Sequence, residues 1–139
     1  MLNLCIVKER RIKMKNELLI KKCKSCGAIV KVLKDCNCDG CGIKCCDEVM
    51  EVLIPNSVDA AIEKHVPTYE KVGDEIYVQV NHVMEKEHFI EWISLVSENQ
   101  EYMVKFYPEQ NAETKFPYIQ GATLYAYCNK HGLWKTRVE

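Results

Sequence analysis

Excess charge is missing from this 139-residue chain, whose 19 basic and 20 acidic residues leave a formal net charge of −1. A near-neutral balance gives no support to a nucleic-acid or acidic-surface partner, either of which would favour a basic excess. No apolar run approaches the length of a membrane span, so no membrane partner is expected. The opening MLNLCIVKERRIKMK is basic but has neither a proper apolar stretch nor a cleavage site, and we do not read it as a secretory signal. Met14 precedes a more ordinary beginning, MKNELLI, so residues 1–16 read as an N-terminal extension, either disordered or reflecting an upstream start. Histidine is scarce, with four in the chain, and cysteine is absent between Cys46 and Cys128. The length leaves room for one ordinary domain, or a modest domain with a small appendage.

What is abundant is cysteine. A disulfide framework stapling a secreted fold would be even in number and spread along the chain. Here the count is nine, seven of them crowd residues 23–46, and Cys5 and Cys128 stand apart. That distribution points to metal chemistry in a reducing cytoplasm, with Cys5 a free thiol.

Composition divides the remainder. Residues 17–54 hold the cysteine cluster and glycines at Gly27, Gly40 and Gly42, and are too few to build an apolar core without a metal. From residue 55 to 139, β-branched and aromatic residues take over. PNSVDAAIEK reads as a connector with one helical turn, capped by Asn56 or Ser57. Period-two alternation then recurs: Ile76, Val78 and Val80 share one face of EIYVQV, and His88, Ile90 and Trp92 share one face of HFIEW. EYMVKFY and TLYAYC repeat the pattern. Breaks at Gly73-Asp74, Glu98-Asn99, Pro108 and Gly121 have the spacing of an antiparallel sandwich. The expected fold is mainly β, with the second domain all-β.

CKSCG places Cys23 and Cys26 on a turn whose thiolates converge, with Gly27 letting backbone N–H groups approach sulfur. The adjacent Cys45 and Cys46 can supply two more thiolates, and four make a tetrahedral site for iron or zinc. Neighbouring cysteines reach a tetrahedron with difficulty, so distorted angles are expected. Cys36, Cys38 and Cys41 leave three readings open: spare thiols, a disulfide on oxidation, or partners of Cys23 and Cys26 around an iron–sulfur cluster.

A lone histidine is usually a satisfied surface or core imidazole. These four are better placed than that. His65 follows the connector in EKHVP, His82 and His88 bracket NHVMEKEH, and His131 shares the loop CNKHG with Cys128. All lie at or near the ends of elements, where side chains from a β-scaffold converge at one rim. Four imidazoles and a thiolate exceed the four ligands at which structural zinc closes. Five suit a square-pyramidal ion with one position open, and the nitrogen–sulfur mixture favours iron, with copper the alternative.

CKSCG with the Cys45-Cys46 pair, VDAAIEKHVP, HVMEKEHFIEW and YCNKHGLWK together resemble the desulfoferrodoxin family, two-iron superoxide reductases, from about Glu17 to Lys135. The resemblance implies a small desulforedoxin-like domain followed by an immunoglobulin-like β-sandwich, in a homodimer. It implies a first metal, iron or zinc, on Cys23, Cys26, Cys45 and Cys46. It implies a catalytic iron with His65, His82, His88 and His131 equatorial and Cys128 axial. Glu63 and Lys64 match the family's acid–lysine pair beside the open position. The implied reaction reduces superoxide by one electron to hydrogen peroxide, with electrons from a rubredoxin-like donor. Val83 stands where the family often has proline, and Cys36, Cys38 and Cys41 occupy a stretch that is usually shorter and glycine-rich. Two rival functions are an iron electron carrier without catalysis and a zinc-binding interaction module.

Overall fold

The computed structural model describes residues 16–139. Cys5 and the first fifteen residues of the expected extension lie outside the described residues. Alternating side chains and closely spaced turn residues make β-strands of nearly all regular elements, and a boundary between two compact units falls between Leu53 and Ile54.

The first unit has five short strands: β1 (Ile20–Lys22), β2 (Ile29–Lys31), β3 (Lys44–Cys45), β4 (Glu48–Val49) and β5 (Glu51–Val52). β2, β1 and β5 form an antiparallel sheet in that order, while β3 and β4 form a separate hairpin. Strands of two or three residues have little to bury. Ile20, Cys23 and Met50 are the buried apolar side chains among the described residues of this unit. Lys21 is buried too, and Asp35 neutralises its ammonium at 2.9 Å.

Seven longer strands build the second unit. They are β6 (Thr68–Val72), β7 (Glu75–Gln79), β8 (Ile90–Val96), β9 (Glu101–Lys105), β10 (Glu113–Pro117), β11 (Thr123–Cys128) and β12 (Gly132–Arg137). One sheet has the order β10-β7-β6 and the other β12-β11-β8-β9, all pairs antiparallel. This is an antiparallel β-sandwich, as the alternation predicts, and of the immunoglobulin-like kind that the resemblance implies. Gly73, at φ +63, begins the two-residue turn between β6 and β7, where a positive φ matches strand twist. Between the sheets, Ile76 and Val78 meet Ile93, Leu95, Leu124 and Ala126, all fully buried. Each such isoleucine, leucine or valine contributes roughly 1.5–3 kcal/mol from burial.

β8 breaks the simple period. Tyr127 pairs with Trp92, but Cys128 pairs with Ile90, so Glu91 is an extra residue in a bulge. The expected common face of His88, Ile90 and Trp92 is therefore corrected. Ile90 joins Ile93 in the core, whereas Trp92 lies on the other face, stacked on Tyr127 with ring centroids 5.8 Å apart.

The connector differs as well. Its helical turn is a 3-10 turn at Ile62–Lys64, preceded by Ala61 with no side-chain cap. Asn56 instead behaves as a stand-in peptide against β12: Lys135 N donates to its Oδ1 at 2.8 Å, and its Nδ2 donates to Lys135 O at 3.2 Å. Ser57 Oγ donates to Ile54 O at 2.6 Å. An amide reproduces both halves of a strand's hydrogen-bond pair, so the edge of β12 outcompetes a helix N-terminus for Asn56.

Candidate metal centres

One rim of the sandwich gathers His65, His82, His88, His131 and Cys128, with donor atoms all within 4.8 Å of one another. The 3-10 turn delivers His65, since His65 N donates to Ile62 O at 3.1 Å. The loop after β7 delivers His82 and His88, closed by paired backbone bonds between Glu85 and His88 at 3.0 and 3.2 Å. The three-residue link between β11 and β12 delivers His131, and Gly132, at φ +80, makes the turn that returns the chain to Cys128.

The imidazoles form a closed square in the order His65, His82, His88, His131. Adjacent ring centroids lie 4.8, 4.6, 5.0 and 4.8 Å apart, with interplanar angles of 72°, 88°, 74° and 90°. His65 and His88 are thus opposite one another, as are His82 and His131. Hydrogen bonds select the inward nitrogens. His65 Nδ1 lies 2.7 Å from Ala61 O, leaving Nε2 to face His131 Nδ1 at 3.0 Å. His82 Nδ1 is held by Val83 O, and its Nε2 lies 3.4 Å from Cys128 Sγ. His131 Nδ1 is 3.8 Å from the same sulfur. Carbonyl partners on outer ring nitrogens fix the tautomer, as they do around metal ions. His88 Nε2 is buried with no hydrogen-bond partner. An orphaned buried nitrogen costs about 1–3 kcal/mol, and an ion at the centre of the square would satisfy it. The donor set fits a metal.

Burial pushes the His82 and His88 pKa values down, and the neighbouring imidazoles add to it, so both rings are neutral donors at neutral pH. Burial pushes the Cys128 thiol up, opposed by backbone N–H groups of Lys130 and His131 that reach its sulfur. A buried thiolate needs positive charge beside it, which a metal supplies. All four imidazoles line a cleft of about 470 Å³, together with Asp59, Ala60, Ala61, Lys64, Val83 and Glu85. Cys128, fully buried, does not line it. The sulfur is therefore on the core side of the square and the cleft on the other. Lys64 sits in the cleft lining; Glu63, its exposed neighbour, does not.

The second group is Cys23, Cys26, Cys45 and Cys46. Gly27, at φ +80, closes the knuckle, and Gly27 N donates to Cys23 O at 3.0 Å. The N–H groups of Cys26 and Ser25 reach the Cys23 sulfur and, the former leading, lower its pKa to about 7. Cys26 Sγ lies 3.6 Å from Cys45 Sγ. Cys46 and Asp47, at φ +52 and +60, are the two central residues of the β3–β4 turn. Successive strand side chains point apart, but this left-handed turn brings Cys46 Sγ to 3.9 Å from Cys45 Sγ. Backbone conformation thus resolves the difficulty of adjacent ligands.

Cys36, Cys38 and Cys41 form a third group that shares no member with the second. Of the three readings left open for them, the backbone allows a disulfide between Cys38 and Cys41, whose Cα atoms lie 5.7 Å apart.

Sequence reasoning passed over four contributors. Trp134 stacks on His65 at 4.9 Å and donates from Nε1 to His131 O at 3.0 Å. Asn129 staples two ligand loops: its Oδ1 accepts from Phe89 N at 3.0 Å and its Nδ2 donates to Glu87 O at 2.9 Å. Asp59 and Glu85 put carboxylates on the cleft. Trp134 and Asn129 both lie in YCNKHGLWK; Asp59 and Glu85 carry no spacing signal.

Comparison with known proteins agrees with this geometry. The family model described as desulfoferrodoxin matches residues 57–137, more than half of the chain. A desulfoferrodoxin of Syntrophotalea carbinolica is 43% identical over 128 residues, covering 88% of this chain and 98% of that protein. The chain belongs to the desulfoferrodoxin family. Another member, from Clostridium acetobutylicum, is 41% identical over 90% of this chain and 100% of its own length. Among solved structures, the superoxide reductase from Treponema pallidum superposes with a TM-score of 0.66 at 28% identity, covering 87% of this chain and 99% of that one. Family membership thus extends over both units, and the fold is that of a solved superoxide reductase. Among the described residues, no helix is long and apolar enough to cross a membrane.

Proposed function

We propose that the chain is a superoxide reductase, which reduces superoxide by one electron and, with two protons, releases hydrogen peroxide. The observation that carries this reading is the one-sided square: four imidazoles face an open cleft while the thiol lies hidden beneath them. Ferrous iron held by His65, His82, His88, His131 and Cys128 would supply the electron at a position left free on the cleft side. Five nitrogen and sulfur donors exceed the four of structural zinc and suit iron.

The chain's own groups do the remaining work. Lys64 draws the substrate anion into the cleft and is the lysine in its lining that can donate a proton to the substrate oxygens. The N–H groups of Lys130 and His131 hold charge on the Cys128 sulfur. Trp134, buried and stacked on His65, covers one face of that ring and holds its orientation. For Glu63, implied by resemblance beside the open position, placement outside the cleft lining offers no support.

We assign the four-thiol group iron or zinc, as electron relay or as a stabiliser of the fold. A homodimer, a rubredoxin-like electron donor and a reducing cytoplasm complete the reading, each resting on family analogy or thiol content. The test is stoichiometric. Anaerobically reduced protein, given measured amounts of superoxide, is expected to yield one peroxide per superoxide consumed, without dioxygen. Dioxygen at half the superoxide consumed would mean dismutation and end the proposal. Cys45→Ser with Cys46→Ser is expected to leave this stoichiometry unchanged.

A further inference from the structure

We propose that Cys36, Cys38 and Cys41 form a third metal site, a three-thiolate cup for the soft ion Cu(I). It does not depend on the activity proposed above. Their sulfurs all lie within 4.8 Å of one another, and among the described residues no imidazole or carboxylate joins the group.

The cup is built on purpose-made backbone. Asp35, in its ion pair with Lys21, has a side chain only 8% exposed and also accepts from Cys36 N at 2.8 Å, which fixes the entry to the loop. Gly40, at φ +68, reverses the chain between Cys38 and Cys41. At the exit, a Cβ on Gly42 would stand 2.7 Å from Val49 Cγ1, so the loop is pressed onto β4. No apolar core explains the convergence. From Leu33 to Gly42 the one large apolar side chain is Leu33, which is 90% exposed. Short segments without a core are ordered by sulfur chemistry or by metal.

The number of donors selects the ion. A structural zinc site closes at four protein ligands, and this group offers three. Soft thiolates select Cu(I), zinc or iron–sulfur clusters, and of these the clusters too are held by four protein ligands. Cys38 and Cys41, with Cα atoms 5.7 Å apart, are placed to pair as a disulfide when oxidised. A dithiol donor opens it by transferring two electrons and two protons: the S–S bond breaks, two thiols form, and the donor leaves as its own disulfide. Cu(I) then displaces the thiol protons as it binds. Oxidation of the pair would empty the cup.

The test uses full-length protein with its other two groups already metal-loaded, kept reduced anaerobically with a phosphine. Cu(I) is supplied as its bicinchoninate complex, to this protein and to the Cys36→Ser, Cys38→Ser, Cys41→Ser triple variant. The variant is expected to lose one Cu(I) per chain relative to the parent. In the parent, iodoacetamide labelling of Cys36, Cys38 and Cys41, mapped by mass spectrometry, is expected to fall when Cu(I) is added and to return after disulfide formation and re-reduction without copper. Equal Cu(I) uptake by the two proteins, or labelling of these residues that ignores Cu(I), would overturn the proposal. The labelling arm needs no variant and decides even if the variant misfolds.

Discussion

The four-thiol group stands on strands of two and three residues, whereas the imidazole square stands at the rim of a seven-strand sandwich. In the first, the thiols take the place of a core: of the three buried apolar side chains among the described residues of that unit, one is Cys23 of the group itself. In the second, Ile76, Val78, Ile93, Leu95, Leu124 and Ala126 hold the scaffold whether or not a metal is present. The difference separates a metal that makes a fold from a fold that presents a metal. It also accounts for where an open face can exist. Thiols that hold a chain together must all be used, while donors held by a core can leave one side of the ion free.

Removing metal should give the largest contrast. Structural metal in small thiol sites contributes on the order of 10 kcal/mol to folding. After chelation, hydrogen exchange is expected to show β1 and β2 losing protection entirely while β8 and β11 keep theirs. Equal loss in both units would remove the distinction. Next comes Ile93→Ala, expected to cost the sandwich about 2–5 kcal/mol in denaturant unfolding while the four-thiol group keeps its metal. Asn129→Ala removes the staple between the loop bearing His88 and the loop bearing His131, at about 1–3 kcal/mol. It should speed metal loss from the square and leave the thiol group untouched, as read by timed chelator competition. The smallest change is Lys64→Ala. It should slow superoxide attack about tenfold at low ionic strength, with the deficit shrinking as salt rises, and leave the optical spectrum unaltered. An unchanged rate at low salt would take Lys64 out of the mechanism.

Much of this architecture was legible in advance because its signals are local or chemical. Alternation in EIYVQV and TLYAYC marks strands, and four scarce histidines at element ends with a thiol announce a common site. What was not legible depends on pairing across the chain. The bulge at Glu91 is set by which residue of β8 faces Cys128, so the faces of Ile90 and Trp92 could not be read from HFIEW alone. Asn56 has the composition of a helix cap, but the edge of β12, 79 residues away, offers its amide two partners at once. The cyclic order of the imidazoles and the hidden side of the sulfur exist only in three dimensions. So does the positive φ at Cys46 that lets adjacent cysteines share a group.

An anomalous-difference map recorded at the iron edge from crystals of the reduced protein addresses the central claim most directly. The account predicts one iron bonded to Nε2 of His65, His82 and His88, Nδ1 of His131 and Sγ of Cys128, with no protein atom bound on the cleft side. Iron missing from the square, any of the five donors left unbound, or a sixth protein ligand on the cleft side would contradict it.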